Sequence, residues 1–248
     1  MQLTCSICKG PSFLLDAVDF NKSCEEPRGF HLPPSGIPVS YFLCERCGFC
    51  FAPEFSRWTA QDFANMIYNS GYAQVDPDYV EARPRENAKN LIALLGARGK
   101  EIRHLDYGGG EGLLSKLLRA AGWQSTSYDP FVDGDKHVEE LGQFDLITCY
   151  EVFEHVPEVR TFLRRLSSLL ARDGIGLFTT LLSDGNIRRG EPLKWWYASP
   201  RNGHISLFSR KSLQLLCNQE GYRFGSFSAG FHAFCKDIPQ WASHFIHG

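Results

Sequence analysis

The stretch His104-Leu105-Asp106-Tyr107-Gly108-Gly109-Gly110-Glu111-Gly112 decides the fold. Glu101 to Tyr107 reads as a strand, and Leu113 to Ala121 as a helix that Gly122 stops. Between them lies a turn built largely of glycine. Glycine lets a backbone turn sharply and approach a ligand with no Cβ in the way. Open α/β sheets bind ligands beyond the carboxyl ends of their strands, and this is the first such end in the chain. A dinucleotide fingerprint, G-x-G-x-x-G, would need a glycine at position 113, where Leu113 stands. That spacing fails. What remains is Asp106-x-Gly108-x-Gly110-x-Gly112.

Outward from the turn, strand and helix signals alternate. Trp123 to Tyr128 and Phe144 to Tyr150 read as strands. Val159 to Arg172 has apolar residues at 159, 162, 163, 166, 169 and 170, a single helical face, and Asp173-Gly174 is expected to end it. Ile175 to Leu182 reads as the next strand, Ser212 to Glu220 as a helix closed by Gly221. Tyr222 to Phe227 and Phe231 to Lys236 form a candidate hairpin through Gly230. On the other side, residues 58–100 look helical, with Ala88, Leu91, Ile92 and Leu95 on one face and Gly96 as a stop. Repeated strand–helix–strand units predict an α/β fold, a mostly parallel sheet with helices on both faces. Asp129 stands 17 residues after Gly112, at the end of the second strand. A carboxylate there can accept hydrogen bonds from both hydroxyls of a ribose.

The acidic residue followed by G-x-G-x-G resembles motif I of class I S-adenosylmethionine-dependent methyltransferases. Phe144-Asp145-Leu146-Ile147-Thr148-Cys149-Tyr150-Glu151-Val152-Phe153-Glu154-His155-Val156 resembles the fourth-strand motif of that family. Asp173-Gly174-Ile175-Gly176-Leu177 resembles the entry to its fifth strand. Gly203-His204-Ile205-Ser206-Leu207-Phe208-Ser209 and Glu220-Gly221-Tyr222 resemble a pattern of small-molecule members. The resemblance covers about residues 100–236. It implies a Rossmann-like, seven-stranded sheet and S-adenosylmethionine as cofactor. Asp106, Gly108, Gly110, Gly112, Asp129, Cys149 and Glu151 are then the cofactor-binding residues. In the family the glycine loop passes under the methionine part, and the acidic residue lies near its amino group.

Composition is that of an ordinary globular protein. The 248 residues are 43% hydrophobic and 22% charged, with a formal net charge of -2. A nucleic-acid partner usually calls for a basic excess, which is missing, so nucleic acid is not the expected partner. No apolar run approaches the ~20 residues that span a bilayer. The start, Met-Gln-Leu-Thr-Cys, does not read as a secretory signal, and a cytoplasmic location is expected.

Nine cysteines are unevenly placed, six of them in the first 50 residues. Cys5-Ser6-Ile7-Cys8 and Cys44-Glu45-Arg46-Cys47 make two C-x-x-C knuckles separated by 35 residues. A two-residue gap lets both sulfurs of a turn face one ion, and tetrahedral zinc takes four thiolates. Residues 1–57, rich in Cys, Pro and Gly, therefore read as a small zinc-binding module, and 58–248 as the cofactor domain. Gly10 and Gly48 follow the knuckles. Cys24, Cys50 and His31 are spare ligand candidates, and a set of free buried thiols is the bland alternative. A four-thiolate site is closed, so the zinc is expected to be structural. Some sugar C-methyltransferases resemble this layout, with a further C-terminal domain not seen in this sequence.

Methyl transfer from a sulfonium needs alignment of the acceptor, exclusion of water and, for some acceptors, removal of a proton. His204, His155, Glu154 and Tyr197 are the catalytic candidates. Glu154-His155 follows the fourth strand and also reads as a brace for the next helix. His204 lies in a loop after the fifth strand, with a loop-bracing histidine as its alternative. Trp195, Trp196 and Tyr197 read as an apolar wall for the acceptor or as a core cluster. The N-P-P-Y-like ending used on base or amide nitrogens is absent, and Cys149 follows Thr148 rather than a proline. The leading expectation is a methyltransferase of small molecules. An RNA or protein methyltransferase with a recognition module is the second, and a non-catalytic cofactor-binding protein the third. Oligomeric state is not legible.

Overall fold

The computed structural model describes residues 2–134 and 138–246. In chain order its strands are β1 (Gln2–Thr4), β2 (Pro11–Asp19), β3 (Pro38–Cys44), β4 (Cys50–Phe51), β5 (Arg103–Tyr107) and β6 (Gln124–Tyr128). They continue with β7 (Phe144–Tyr150), β8 (Leu170–Thr179), β9 (Ser206–Leu207), β10 (Arg223–Ser226) and β11 (Phe231–Cys235). The α-helices are α1 (Ala60–Met66), α2 (Tyr72–Val75), α3 (Ala82–Leu95), α4 (Leu113–Ala120), α5 (Val159–Leu169), α6 (Arg210–Gln219) and α7 (Ser243–Ile246). Among the described residues no helix is long and apolar enough to cross a membrane. The chain forms two units. One takes the residues up to Pro77 with Phe153–Arg160 and Leu181–Leu216, the other Asp78–Val152, Thr161–Thr180 and the residues from Cys217.

The second unit is built on a sheet of order β10-β11-β8-β7-β5-β6. β6, β5, β7 and β8 run parallel, while β11 and β10 add an antiparallel edge. The sheet has six strands among the described residues, not the seven expected. The chain between β6 and β7, residues 129–143, is too short for another parallel strand, since each crossover needs a dozen or more residues. Alternation sorts side chains to two covered faces. Leu146, Ile175, Leu177, Ala233 and Cys235 pack with Ala88, Leu91 and Leu95 of α3 and Leu114 and Leu118 of α4. On the opposite face Tyr107 meets Phe162 of α5 edge-on, ring centroids 5.5 Å apart.

One expected boundary is corrected. The helix after β7 ends at Leu169, and Asp173-Gly174 lies inside β8 rather than before it. The register jumps there, from Phe144 opposite Leu170 to Leu146 opposite Ile175. The chain bulges outward through exposed Arg172 and Asp173. Gly174 permits the bulge, because a Cβ would come 3.0 Å from the carbonyl oxygens of Ala171 and Asp145.

The first unit is built on an antiparallel sheet of order β1-β2-β3-β4-β9. Residues 1–57 supply its first four strands, and the unit extends beyond them through α1 and α2 and the chain around β9. Helix α1 opens with a reciprocal cap between Thr59 and Asp62. Tyr41, Phe55, Ile67, Tyr197 and Leu207 are almost fully buried together in its core. Residues 197–209 are buried although largely irregular, so their backbone groups need partners. Lys22 Nζ donates to the carbonyls of Trp195 (2.6 Å) and Ala198 (2.7 Å). Arg201 donates to Ile67 O at 2.9 Å, and Asn202 to Val75 O at 2.8 Å. Hydrogen bonds from charged donors contribute about 1.5–3 kcal/mol each, which is why buried cations are tolerated here.

Candidate functional site

In the second unit the candidate residues gather at the carboxyl ends of β5, β6 and β7. Asp106 is buried near the end of β5. Gly108, Gly110 and Gly112 all take positive φ, at 78°, 53° and 73°, so each side-chain-free position is required by the turn itself. Gly109 has no such φ and is held to glycine by space. A Cβ there would come 2.4 Å from Ser127 Oγ and 2.5 Å from Asp106 Oδ2. Gly108 lies against Val152 in the same way, at 2.5 Å. Gly110 faces open space. Asp129 locks the far side of the turn: its Oδ2 accepts from Gly110 N at 3.0 Å, and its Oδ1 from Phe131 N at 2.8 Å. Each oxygen keeps a further lone pair for a ligand hydroxyl.

Beneath the turn runs a buried polar chain. The Ser115 and Ser125 hydroxyls are 2.8 Å apart, and Ser125 Oγ is 2.8 Å from His104 Nδ1. His104 Nε2 is 2.9 Å from Thr148 Oγ1, which donates to Asp106 Oδ1 at 2.9 Å. The imidazole thus bridges the Ser115–Ser125 pair and the Thr148–Asp106 pair. Burial holds the His104 imidazole neutral, pushing it down to about 3. Burial also pushes Asp106 up to about 7, with the Asp129 charge adding to the rise and the Thr148 hydrogen bond opposing it. A cationic group brought to Asp106 would favour its ionised form.

Glu151 follows β7 with φ at 53°, one of two residues other than glycine with positive φ among the described residues. It is held by Thr179, whose Oγ1 accepts from Glu151 N at 2.8 Å and donates to Oε1 at 2.7 Å. Backbone of this kind costs about 1–3 kcal/mol and collects at functional sites. Cys149 is buried in β7 on the face opposite Thr148, so its thiol points away from the side of Asp106.

The four catalytic candidates all fall in the first unit, and the structure brings them together. Tyr197 OH donates to Glu154 Oε1 at 2.6 Å, and His155 Nε2 lies 4.0 Å from the same oxygen. The His204 ring stands 4.1 Å from the Tyr197 ring and 4.9 Å from that of His155. His204 Nδ1 is 2.9 Å from Tyr197 O. A carbonyl only accepts, so Nδ1 carries a proton and Nε2 is the ring nitrogen left for other partners. Gly203, at φ 88°, would place a Cβ 2.9 Å from His155 Nδ1. Trp195 and Tyr197 are buried in the core, while Trp196 is exposed.

Cys5, Cys8, Cys44 and Cys47 converge, with their sulfurs all within 4.8 Å of one another. Cys5–Cys47 and Cys8–Cys44 are 3.7 and 3.3 Å apart. Zn–S bonds of about 2.3 Å in a tetrahedron set sulfurs about 3.8 Å apart, so the group fits zinc. The knuckles match: Lys9 N bonds Cys5 O at 3.0 Å, and Gly48 N bonds Cys44 O at 2.9 Å. Lys9 (φ 60°) and Gly48 (φ 74°) occupy equivalent left-handed positions. Gly10 serves closeness instead, since a Cβ would lie 2.8 Å from Arg46 Cβ. Its amide also donates to Cys8 Sγ at 3.4 Å. The spare candidates lie elsewhere. Cys50 is packed in β4, Cys24 lies 3.6 Å from His204 Nδ1, and His31 is exposed.

Several neighbours were not singled out by sequence. Ser127 Oγ is buried without a protein hydrogen-bond partner, close to where Cβ atoms at Gly109 and Gly112 would stand. The polar alternation of Ser125 and Ser127 on β6 was the available signal. Thr148, Lys22 and Tyr41 carried no signal of their own, because their roles depend on distant carbonyls and carboxylates.

Residues 79–224 match the model of a family described as a methyltransferase domain. A ubiquinone biosynthesis O-methyltransferase of Xanthomonas campestris pv. campestris is 34% identical over 154 residues, covering 53% of this chain and 59% of that protein. One from Actinobacillus pleuropneumoniae is 32% identical over 113 residues, covering 35% and 47%. The chain thus spans about half the length of the curated relatives it matches. Among solved structures, the 1,6-didemethyltoxoflavin-N1-methyltransferase of Burkholderia thailandensis superposes with a TM-score of 0.48 at 19% identity, covering 82% of this chain and 95% of that one.

Proposed function

Because the chain belongs to this methyltransferase domain family, we propose that it transfers the methyl group of S-adenosylmethionine to a small-molecule acceptor. The observation that carries the reading is the glycine turn, closed on Asp106 and Ser127 and clamped by Asp129. Its positive-φ glycines and the open space at Gly110 leave room for a ligand at the backbone itself. S-adenosylmethionine supplies a methyl carbon already activated by positive sulfur. Asp106 would hold its ammonium, the turn its methionine part, and Asp129 its ribose hydroxyls. Glu151 and the Cys149 backbone complete the set.

Acceptor chemistry is assigned to Glu154, His155, Tyr197 and His204. His204 Nε2 takes a proton from a hydroxyl or an acidic carbon, typically worth 10²–10⁴-fold in rate. Glu154, bonded to Tyr197, supports the imidazolium that forms. One zinc ion on Cys5, Cys8, Cys44 and Cys47 is structural, since four thiolates leave no open position.

Titration calorimetry with S-adenosylmethionine, S-adenosylhomocysteine and NAD tests the reading. One site per chain for the first two, with no binding of NAD, is expected. Preferential binding of NAD overturns it.

A further inference from the structure

The four-cysteine site and the candidate base are joined by a short run of backbone in the first unit. β4 leaves the second knuckle and pairs with β9, Cys50 opposite Leu207 and Phe51 opposite Ser206. The pairing continues through Ala52 N to Ile205 O at 2.9 Å. Ser209 Oγ donates to Cys47 O, inside the knuckle, and a Cβ on Gly48 would touch that same hydroxyl at 3.0 Å. Tyr41 stands on β3, three residues before Cys44, and is fully buried. Its hydroxyl donates to the carbonyl of His204 at 2.7 Å.

His204 is thus gripped at its own backbone. Tyr41 fixes its carbonyl, and its amide bonds Ser199 O at 3.2 Å. Its ring Nδ1–H donates to Tyr197 O, in the segment that Lys22 pins at Trp195 and Ala198. A small rotation of the His204 peptide would break the Nδ1 hydrogen bond and release the tautomer. A reactive group held loosely by even 1 Å loses much of its effect.

We propose that Tyr41 is a positioning residue for His204, and that a metal in the four-cysteine site acts on the histidine through the strands they share. The proposal rests on the assignments of zinc and of His204 made above. A bound metal fixes the turn between β3 and β4. That turn carries Tyr41 on one side and the β4–β9 pairing on the other. The cysteine site is therefore part of the machinery that orients the histidine, rather than a recognition appendage.

The test is ¹⁵N NMR of imidazole-labelled full-length protein, with the His204 signal identified by its loss in His204→Gln. The intact protein should show two well-separated His204 nitrogens, the pattern of a single Nδ1–H tautomer. In Tyr41→Phe they should converge toward an exchange average, with His104 and His232 of the second unit unmoved. A merely structural role for Tyr41 would lower the melting temperature and leave that pattern intact, and this outcome overturns the proposal. Should Tyr41→Phe not fold, Ser209→Ala carries the same readout. Removal of metal by a chelator should produce the same convergence. If no metal leaves because none is bound, the zinc assignment fails while the Tyr41 arm still decides the positioning claim. If metal leaves and the His204 nitrogens stay put, the coupling is refuted.

Discussion

Asp106→Asn offers the sharpest test of the buried network under the glycine turn. Burial pushes the wild-type carboxyl up to about 7 from an ordinary 3.8. The sign follows from the two states. Below about pH 4 the group is protonated both folded and unfolded and adds no pH dependence. Between about pH 4 and 7 only the unfolded chain ionises, so folded stability falls by about 1.4 kcal/mol per pH unit. Above about pH 7 both states are ionised, and the accumulated cost is on the order of 4 kcal/mol. Asparagine keeps the hydrogen bond from Thr148 and removes the charge. The variant is therefore expected to lack this decline and to be the more stable protein at pH 8. Urea unfolding from pH 5 to 8.5, compared between the two proteins, isolates the contribution, because His104, neutral in the fold but titrating near 6.5 when unfolded, adds the same slope to both. On the proposed cofactor reading a second consequence follows. The cofactor ammonium favours the ionised carboxylate, so wild-type affinity should rise with pH until about 7, by at most tenfold per unit. Asp106→Asn should bind weakly at every pH. Parallel stability profiles for the two proteins would refute the argument, because Asp106 would then be ionised when folded at neutral pH.

Three further outcomes are expected. Gly109→Ala should lose 1–3 kcal/mol of stability, about the cost of overpacking, and most cofactor binding, because its Cβ meets Asp106 and Ser127; unchanged calorimetry would show that the turn has room to move. Asp129→Ala should weaken S-adenosylmethionine binding by about 1.5–3 kcal/mol, as for a lost charge-assisted hydrogen bond; normal affinity would remove it from the ribose role. Elemental analysis of protein purified without a metal-affinity step should give about one zinc per chain, and Cys44→Ser should abolish it; a metal-free, equally stable wild type argues against zinc.

The second unit was legible because its signals are local. Three glycines at alternate positions announce backbone that only glycine adopts readily, and the structure gives all three positive φ. The apolar faces of α4 and α5 follow from helical spacing over a few turns. Errors arose where a local signal had a non-local cause. Asp173-Gly174 looks like a helix stop, yet Gly174 is there because the carbonyl of Asp145, on a neighbouring strand, comes close. The seventh strand was an inheritance from the family pattern, and the short link between β6 and β7 argues against it by length alone.

The first unit shows the opposite limit. Its cysteine knuckles are readable from spacing, but its extent is not. Ser206 and Leu207 form a strand of two residues with no pattern of their own, and they complete a sheet whose other strands end more than 150 residues earlier. Nothing near His204 in sequence announces Tyr41 or Lys22, because a hydrogen bond to a backbone carbonyl places no demand on the residue that owns it. The same holds for the cluster of Glu154, His155, Tyr197 and His204. Glu154 and His155 could be named from one motif and Tyr197 and His204 from another, but not that hydrogen bonds, Tyr197 OH to Glu154 Oε1 and Ile205 N to Glu154 O among them, tie the two together. The Tyr197 bond gives the buried Glu154 side chain a hydrogen-bond partner, and burying a polar group without one costs free energy. Tyr197 is thus fixed by its hydrogen bond to Glu154 as much as by packing, which is why an aromatic wall and a core cluster are indistinguishable from sequence: in the folded chain this tyrosine is buried in the core and donates its hydroxyl to Glu154.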